Sequence, residues 1–427
     1  MNKCLLGDVA KSQTGPFGSQ LHEADYVEKG TPIVTVEHLG EIGFTTQNLP
    51  FVSQKDTERL SKFLLQEGDI VFSRVGSIDR SVYVKKEQEG WMFSGRCLRV
   101  RCDKSKINPR YLSFYFKLAD FKKMMLNISV GATMPSLNTK LMDSIPLNLP
   151  SREIQDKIAG LLDSIDSRIE NNNKVNQELE LMAKNIYDYW FLQYEFPNEE
   201  GKPYKSSGGK MVWNEELKRE IPERWEIDSL GNLFTSSRGI SYNSKTLEGN
   251  GVPMINLASF NVDGSYKENG IKHYSGEYSA EKVIKPFDLL MCNTQQTAVD
   301  YKKDIIGKAF LVPDIFDDDI VSSHHVTTIH VKKHTMKYYL HRLFNTEFFH
   351  KYVTGFTNGT NILGLTFCGV ENYKLEIPDD IVLDQFAELM LDIEMKKSKI
   401  IKENQELASL RDFLLPLLMN GQVSFQD

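Results

Sequence analysis

The sequence has few cysteines and no long apolar run. Its five cysteines among 427 residues are odd in number and scattered, and no CxxC pair occurs. This pattern predicts free thiols in a reducing compartment. No run of about 18 apolar residues exists, so no membrane span is expected. The N-terminus also lacks the apolar stretch of a secretory signal.

The usual motifs of catalysis and nucleotide binding are also missing. Neither GxxxxGK[ST] nor GxGxxG occurs, and without a Pro-Pro pair the chain cannot carry the tetrapeptide of an amino-methyltransferase. The only histidine cluster, at 324, 325, 330 and 334, lacks cysteine or carboxylate partners at metal-ligand spacing. We therefore predict a protein with no catalytic residue, no metal ligand and no directly bound cofactor.

Charge is distributed unevenly along the chain. The net charge of −7 comes from 51 basic and 58 acidic side chains. Segment 151–192 holds 5 basic and 8 acidic residues, a net charge of −3. Segment 379–427 holds 5 basic and 10 acidic residues, a net charge of −5, so the rest of the chain has a net charge of +1. Net acidity argues only weakly against nucleic-acid binding, because a local basic footprint is sufficient.

The strongest signal in the sequence is an internal duplication. A shift of 228 residues aligns 150–190 with 378–418, and 10 of those 41 pairs are identical, including the block NQEL at 176–179 and 404–407. The same shift aligns the pair Tyr-Leu at 111–112 with that at 339–340. The chain is therefore predicted to hold two copies of one unit, each a globular region followed by a helix.

Apolar residues in the two helical segments recur at alternating steps of three and four. This heptad spacing predicts two long helices that pair as a coiled coil. The alternative is two helices packed separately in globular cores. The predicted seam consists of Ile158, Leu161, Ile165, Leu179 and Ile186 in the first helix and Phe386, Leu389, Ile393, Leu407 and Leu414 in the second.

The globular regions have the pattern of mixed α/β structure. Short β-rich runs such as DIVFSRV (69–75) and VTTIHVKK (326–333) are separated by turn residues, and one helical stretch follows them in each copy. The predicted fold class is α+β. The predicted divisions are a first globular region over 1–150, a helix over 151–192, a linker over 193–225, a second globular region over 226–378 and a C-terminal helix with tail over 379–427.

Polar, glycine-containing loops occupy comparable places in the two copies. Arginine can bond guanine and asparagine or glutamine can bond adenine, while hydroxyls and lysine hold phosphates. Solvated loops are the alternative explanation for the same polarity. The candidate nucleic-acid contacts are Ser12, Thr14, Ser19, Arg74, Ser77, Arg80 and Arg96 in the first copy and Arg238, Tyr242, Asn293, Thr294, Gln295, Gln296, His324 and His325 in the second.

Several segments resemble one known family, and they follow one another in the same order as in that family. They are EFPNEEGKPYKSSGGKMV (195–212), IPERWE (221–226), DLLMCNTQQTAVDYKKDIIGKAFLVP (288–313) and the ending LLPLLMNGQV (414–423). Together with the duplication, they resemble type I restriction-modification specificity subunits. The resemblance implies two target recognition domains that bind double-stranded DNA and two spacer helices paired antiparallel about a pseudo-twofold axis.

The resemblance also implies partners for this non-catalytic chain. Two methyltransferase subunits would dock against the helices, and two restriction subunits would complete the complex for defence against foreign DNA. S-adenosylmethionine, ATP and Mg²⁺ would then bind to those partners, and the complex would act in the cytoplasm of a bacterium or archaeon.

Helix length suggests the form of the DNA target. Helices of about 40 residues are roughly 60 Å long, which is between one and two turns of duplex DNA at ~34 Å per turn. We therefore expect a bipartite, asymmetric target with an unspecified spacer. Two alternatives stay open: a coiled-coil adaptor that binds only proteins, and a stand-alone DNA methyltransferase or nuclease.

Overall fold

A computed structural model of the chain describes residues 2–129, 136–296 and 304–423, except the side chains of Ser19 and Gln296. The chain divides into two compact units. Unit 1 comprises residues 1–171 and 404–427, and unit 2 comprises residues 172–403. Each unit therefore includes one end of each long helix.

Unit 1 contains ten short strands and five short helices before the first long helix. The strands are β1 (Asn2–Leu5), β2 (Ala10–Thr14), β3 (Tyr26–Val27), β4 (Thr31–Val34), β5 (Phe51–Val52), β6 (Asp69–Ser73), β7 (Ser81–Tyr83), β8 (Met92–Phe93), β9 (Cys97–Cys102) and β10 (Pro146–Leu149). The helices are α1 (Leu6–Val9), α2 (Gln54–Arg59), α3 (Pro109–Tyr115), α4 (Ala119–Ile128), α5 (Thr139–Asp143) and the long α6 (Arg152–Tyr187).

Unit 2 contains the remaining strands and helices. Its strands are β11 (Met211–Asn214), β12 (Arg219–Pro222), β13 (Glu226–Ser229), β14 (Phe234–Arg238), β15 (Val252–Ile255), β16 (Lys272–Tyr274), β17 (Leu289–Cys292), β18 (Thr294–Gln296), β19 (Ala309–Leu311), β20 (Val321–Ser322), β21 (Val326–Val331), β22 (Thr357–Asn358), β23 (Ile362–Leu365) and β24 (Lys374–Ile377). Its helices are α7 (Met336–Phe344), α8 (Glu347–Thr354), α9 (Phe367–Glu371) and the long α10 (Asp380–Met419).

The sheets of the two units have the same plan. The main antiparallel sheet has strand order β2-β9-β6-β7 in unit 1 and β14-β21-β17-β19 in unit 2. A second sheet combines an antiparallel and a parallel pairing in both units, β5-β4-β8 and β16-β15-β20. The strand pairs β1-β10 and β13-β24 also correspond. These matches confirm the predicted duplication and the α+β fold class.

The central strand of each main sheet is buried on both faces. In β6, Ile70 and Phe72 face the core formed with α3 and the long helices, whereas the intervening Val71 joins the core of the second sheet. Successive side chains of a strand point to opposite faces, so a continuous apolar run suits this position. Helix α3 begins at this core, where the Asn108 side chain accepts hydrogen bonds from the backbone N–H groups of Arg110 and Tyr111.

The two long helices pack against each other within each unit. In unit 1, Leu162 near the start of α6 shares a core with Leu415 and Leu418 near the end of α10. In unit 2, the ring of Trp190, just after α6, lies 5.8 Å from the ring of Phe386 near the start of α10. The start of each helix thus meets the end of the other, which is the predicted antiparallel pairing.

At one position in each helix, the buried residue is the next one along the chain from the predicted seam residue. The inward positions include Leu162 and Met390, which are buried, whereas the predicted Leu161 and Leu389 are 37% and 41% exposed. These two assignments were therefore wrong. The cause is that polar residues occupy the inward heptad positions, among them Asp166. An apolar pattern cannot reveal a seam that contains charges.

The other predicted seam residues are fully buried or half-buried. Fully buried are Ile158, Ile165, Phe386 and Ile393. Half-buried are Leu179, Ile186, Leu407 and Leu414. The buried stripe is therefore about two residues wide in most turns, because each helix packs against a globular core as well as against its partner helix.

The segment predicted as a linker contains ordered structure. Strands β11 and β12 form an antiparallel hairpin. The Phe196 ring stacks on Tyr204 at 4.6 Å and on Trp225 at 5.2 Å, and both Phe196 and Trp225 belong to the core of unit 2. Gly201 and Gly208 lie in the bends and turns that precede this hairpin. Among the helices of the described ranges, none is long and apolar enough to cross a bilayer.

Candidate nucleic-acid interface

Three loops of unit 1 meet at the residue that follows central strand β6. The backbone N–H of Arg74 donates to the Arg96 carbonyl at 2.8 Å, and its carbonyl accepts from the N–H of Leu137 at 2.9 Å. The Arg74 guanidinium then donates to the carbonyls of Leu137 at 3.2 Å and Gly95 at 3.0 Å. Arg74 therefore holds the loops together, and its predicted role as a base reader gives way to a structural one.

Unit 2 builds the same junction around the residue that follows β17. The N–H of Asn293 donates to the His325 carbonyl at 3.0 Å, and its carbonyl accepts from the N–H of Leu365 at 2.9 Å. The Asn293 side chain donates to the His324 carbonyl at 3.3 Å and to the Thr327 hydroxyl at 2.7 Å. Asn293 is only 3% exposed. The predicted DNA contact by its amide is therefore corrected to a structural role.

A glycine permits close backbone approach at the edge of each junction. Gly15 follows β2 and Gly239 follows β14. A β-carbon at Gly15 would lie 2.2 Å from the Ser94 carbonyl oxygen, and one at Gly239 would lie 2.2 Å from that of Ser322. Only glycine fits at either place. The two junctions therefore share a backbone scaffold and differ in the side chains around it.

Unit 1 presents exposed cations beside its junction. Arg80 and Arg96 are both exposed, and no hydrogen bond or ion pair of either guanidinium occurs among the residues that the structure describes. Ser77 is exposed as well, and its carbonyl accepts a hydrogen bond from the buried Ser73 hydroxyl. Cations without a protein partner are available to phosphates or to the acceptor edge of guanine.

Unit 2 presents an aromatic and cationic cluster at the equivalent place. The rings of His324 and His325 lie 3.8 Å apart, and the Tyr242 ring is 5.7 Å from His324. Lys272 donates to the Tyr242 hydroxyl at 3.2 Å and lies 4.8 Å from the centre of its ring. Burial lowers the pKa of His325, and the neighbouring His324 and Lys272 lower it further. His325 is thus neutral near pH 7 and suited to hydrogen bonding.

Lys272 was missed in the sequence prediction. It lies 30 residues from Tyr242 and begins strand β16. In the sequence, Lys272 and the neighbouring His273 look like ordinary surface residues. Only the folding of β16 beside the junction brings it to the cluster, so no local sequence signal could have identified it.

The remaining predicted contacts differ in what their side chains do. Arg238 is exposed at the end of β14 and Thr14 is half-buried at the end of β2, so both stay candidates. Thr294 donates from its hydroxyl to the Asn293 side-chain oxygen at 2.7 Å, and the Gln295 side-chain oxygen accepts from a backbone N–H at 3.2 Å. Both of these side chains therefore support the junction.

The Ser12 hydroxyl is buried within the sheet, so its predicted DNA contact does not fit its position. The side chains of Ser19 and Gln296 lie outside the described residues, as do loop segments 130–135 and 297–303. In the described ranges, no group of three His, Cys, Asp or Glu side chains could hold a metal ion.

Comparisons with known proteins agree on one family. Residues 1–181 match the type I restriction modification DNA specificity domain. The MjaIX specificity subunit of Methanocaldococcus jannaschii, a type I restriction enzyme subunit, is 25% identical over 331 residues, covering 76% of this chain and 71% of the relative. The HindI specificity subunit of Haemophilus influenzae, a type I restriction enzyme subunit, is 21% identical over 426 residues, and the match covers 86% of this chain and 89% of the relative.

The chain is similar to type I restriction-modification specificity subunits along most of its length. A solved structure of such a subunit from M. genitalium covers 100% of this chain and 96% of its own length, with 13% identity and a TM-score of 0.55. That likeness supports the fold.

In unit 1, a buried carboxylate on α6 ties this long helix to the globular region. Asp166 on α6 is fully buried. Arg110 on α3 contacts it at 3.0 Å, and Arg411 on α10 contacts it at 3.1 Å. Lys117 is 3.4 Å away. One carboxylate thus joins the recognition domain and both spacer helices.

Unit 2 has a buried acid at the position 228 residues later. Glu394 on α10 contacts Arg342 of α7 at 2.8 Å, and Arg342 also pairs with Glu180 on α6. Lys397 contacts Glu180 at 2.7 Å. Burial alone would raise the Glu180 pKa, but Arg342 and Lys397 more than offset this and hold the pKa well below its ordinary value. The carboxylate therefore stays charged.

Replacing Arg342 with alanine should strongly destabilise unit 2. The change leaves the buried Glu394 and the half-buried Glu180 with Lys397 as their only cation among the contacts described. Breaking a buried pair typically costs about 3–5 kcal/mol. Urea unfolding followed by tryptophan fluorescence suits the measurement, because three of the four tryptophans lie in unit 2.

The control is Lys202→Ala, which removes an exposed ion pair with Glu200 and should hardly change stability. Equal unfolding midpoints for the two variants would contradict the structural role of Arg342.

Proposed function

We propose that this specificity subunit recognises a bipartite, asymmetric double-stranded DNA target and contributes no catalytic group itself. One observation carries the proposal. Both units build the same loop junction, but Arg80 and Arg96 border it in unit 1, whereas Tyr242, Lys272 and His325 border it in unit 2. One backbone scaffold with two different sets of side chains suits two different half-sites.

The chemistry of the two sets suggests different kinds of contact. Exposed guanidinium groups can bond the O6 and N7 atoms of guanine in a bidentate manner. The unit 2 cluster offers one ammonium group, a phenol hydroxyl and imidazole nitrogens, which can bond phosphates or single base acceptors. We infer that the half-site read by unit 1 depends more on guanine than the half-site read by unit 2.

The spacer helices support the proposal of a fixed separation between half-sites. Helices α6 and α10 contain 36 and 40 residues, which corresponds to about 54 and 60 Å at ~1.5 Å per residue. A rigid helix pair would set one spacer length and exclude others. The proposal also implies a cytoplasmic location, since bacterial and archaeal DNA lies there.

We further propose that two methyltransferase subunits dock on exposed apolar positions of these helices. Met182 and Leu410 are 228 residues apart and are 53% and 46% exposed, and the similarly related Leu161 and Leu389 are also exposed. Repeated apolar positions on the surface suit two copies of one partner. Two restriction subunits would complete the complex, and S-adenosylmethionine, ATP and Mg²⁺ would bind to the partners.

The direct test of the proposed function is methylome sequencing of the source cells with and without this chain. We expect a two-part adenine-methylation motif with an unspecified spacer to disappear when the chain is deleted. Restoring the chain from a plasmid should restore the same motif. An unchanged methylome would overturn the proposal, and a complex that binds its protein partners but no specific DNA would favour the adaptor alternative.

Substitutions in the two units should change different halves of that motif. Arg96→Ala should relax one position in one half, and Lys272→Ala should weaken recognition of the other half. Loss of a base-reading side chain typically costs about 1–3 kcal/mol of discrimination. Methylome sequencing of each variant provides the measurement, with exposed Lys202→Ala as the control. The proposal fails if both substitutions alter the same half or neither alters any position.

Met182→Glu should weaken assembly with the methyltransferase subunit about tenfold or more, because docking would bury an unpaired carboxylate. Isothermal titration of the partner into the full chain measures this affinity. Val27→Glu places the same charge on an exposed apolar position of β3 and serves as the matched control. If Met182→Glu binds the partner as tightly as Val27→Glu does, the docking site lies elsewhere.

A further inference from the structure

An exposed aromatic ring stands at the edge of the unit 1 junction. Phe17 lies in the turn after β2 and is 59% exposed. Gly18, which follows it, has φ of +58°, a left-handed conformation that favours glycine. Leaving most of a phenylalanine ring in water forgoes the stabilisation that burial would provide. The ring is therefore available to an apolar surface supplied from outside the chain.

The backbone around this ring is closely packed against a neighbouring loop. A β-carbon at Gly95 would lie 2.6 Å from the Pro16 carbonyl oxygen and 2.8 Å from the Phe17 β-carbon. The two loops are thus in direct contact, and Gly15 is packed equally closely against Ser94. Such contacts leave the turn little freedom. Phe17 differs in this respect from an aromatic residue on a mobile loop.

The surroundings of the ring are cationic. The Arg74 guanidinium, fixed by its two carbonyl contacts, lies 5.8 Å from the ring centre. Exposed Arg96 directly follows Gly95, which contacts the Phe17 turn. An apolar ring flanked by arginines is a poor match for an apolar protein surface, since docking would bury the charges. It matches nucleic acid, in which apolar base faces lie between phosphates.

We propose that Phe17 packs against a base step in the half-site of unit 1 and acts there as an apolar wedge. The proposal rests on the proposed DNA-recognition function and adds to it a contact that is not electrostatic. Apolar side chains that enter between bases partly unstack them and bend the duplex. The energetic cost of such bending depends on sequence, so Phe17 would contribute specificity without a hydrogen bond.

Unit 2 has no such ring at the matching place. Gly15 and Gly239 occupy the same position in the two junctions, so Phe17 corresponds to Ser241. The nearby Tyr242 is only partly exposed and is engaged by Lys272 and the histidine pair. The distortion of DNA should therefore be confined to one half of the target.

The test uses the complete complex of the chain with its methyltransferase subunits and a duplex carrying the methylation motif. Phe17→Ser introduces the residue found at the matching place in unit 2. It should weaken binding about tenfold to a hundredfold, in line with the loss of one base-aromatic contact. Because no charge is lost, the slope of log Kd against log salt should stay unchanged, whereas loss of a phosphate contact typically reduces that slope by about one.

Two further measurements distinguish a wedge from a general loss of folding. Phe17→Leu keeps an apolar side chain and should retain most of the affinity. 2-Aminopurine placed in turn at positions of the unit 1 half-site should brighten on binding at one step, and Phe17→Ser should abolish that increase. No position in the other half should respond to this substitution.

The proposal is overturned if Phe17→Ser binds as tightly as the unmodified complex. It is also overturned if its loss of affinity changes the salt slope, or if the fluorescence increase persists. Each of these results would leave the bipartite methylation motif in place. Absence of specific binding by the unmodified complex would instead refute the proposed function itself.

Discussion

The buried contact between a helix carboxylate and a domain arginine constrains this structure more than any other interaction. Asp166 and Glu394 lie at repeat-related positions, are almost fully buried, and each meets a guanidinium from the helix that follows the main sheet. A buried charge without a partner is costly, so alternative packings of helix against domain are disfavoured. The guanidinium fork also fixes direction, which an apolar contact of equal area would not.

The two units satisfy this constraint with different cations. Asp166 is surrounded by Arg110, Lys117 and Arg411, whereas the charges around Glu394 form a network that includes a second acid, Glu180. The position of the acid is repeated, but its partners are not. Many arrangements of cations can neutralise the same carboxylate. The duplication therefore preserves the attachment of a domain to a helix pair but not the residues that neutralise the acid.

The period of the helices and most of their seam could be predicted from sequence, but one inward position in each helix could not. The repeated three- and four-residue spacing was visible because apolar residues flank the inward positions on one side. The inward positions themselves include Asp166 and Glu394, and an apolar pattern assigns charged residues to the surface. Leu161 and Leu389 consequently seemed to form the seam although they are exposed. Only the arginines contributed from distant helices explain why a carboxylate can lie inside.

For the candidate interface, too, only part of the structure could be predicted from sequence. The structure brings the predicted loops together in each unit, and their glycines and polar residues recur in both copies. The roles of single residues could not be predicted, because Arg74 and Asn293 have the donors of base readers yet use them on backbone carbonyls of neighbouring loops. Lys272 and Phe17 gave no local signal. A side chain's role here depends on partners about 20 to 60 residues away, such as Gly95 and Leu137 for Arg74.

This arrangement separates the residues that hold the loops together from the exposed residues that we propose contact the target. Arg74 and Asn293 donate to the carbonyls of Gly95 and His324, which occupy the same place in the two junctions. Backbone carbonyls are present whatever the side chain, so this support does not depend on the residues beside it. Exposed residues such as Arg96 can therefore differ between copies at little cost in stability. Two copies of one scaffold can then carry unlike recognition surfaces, which is the condition for an asymmetric target.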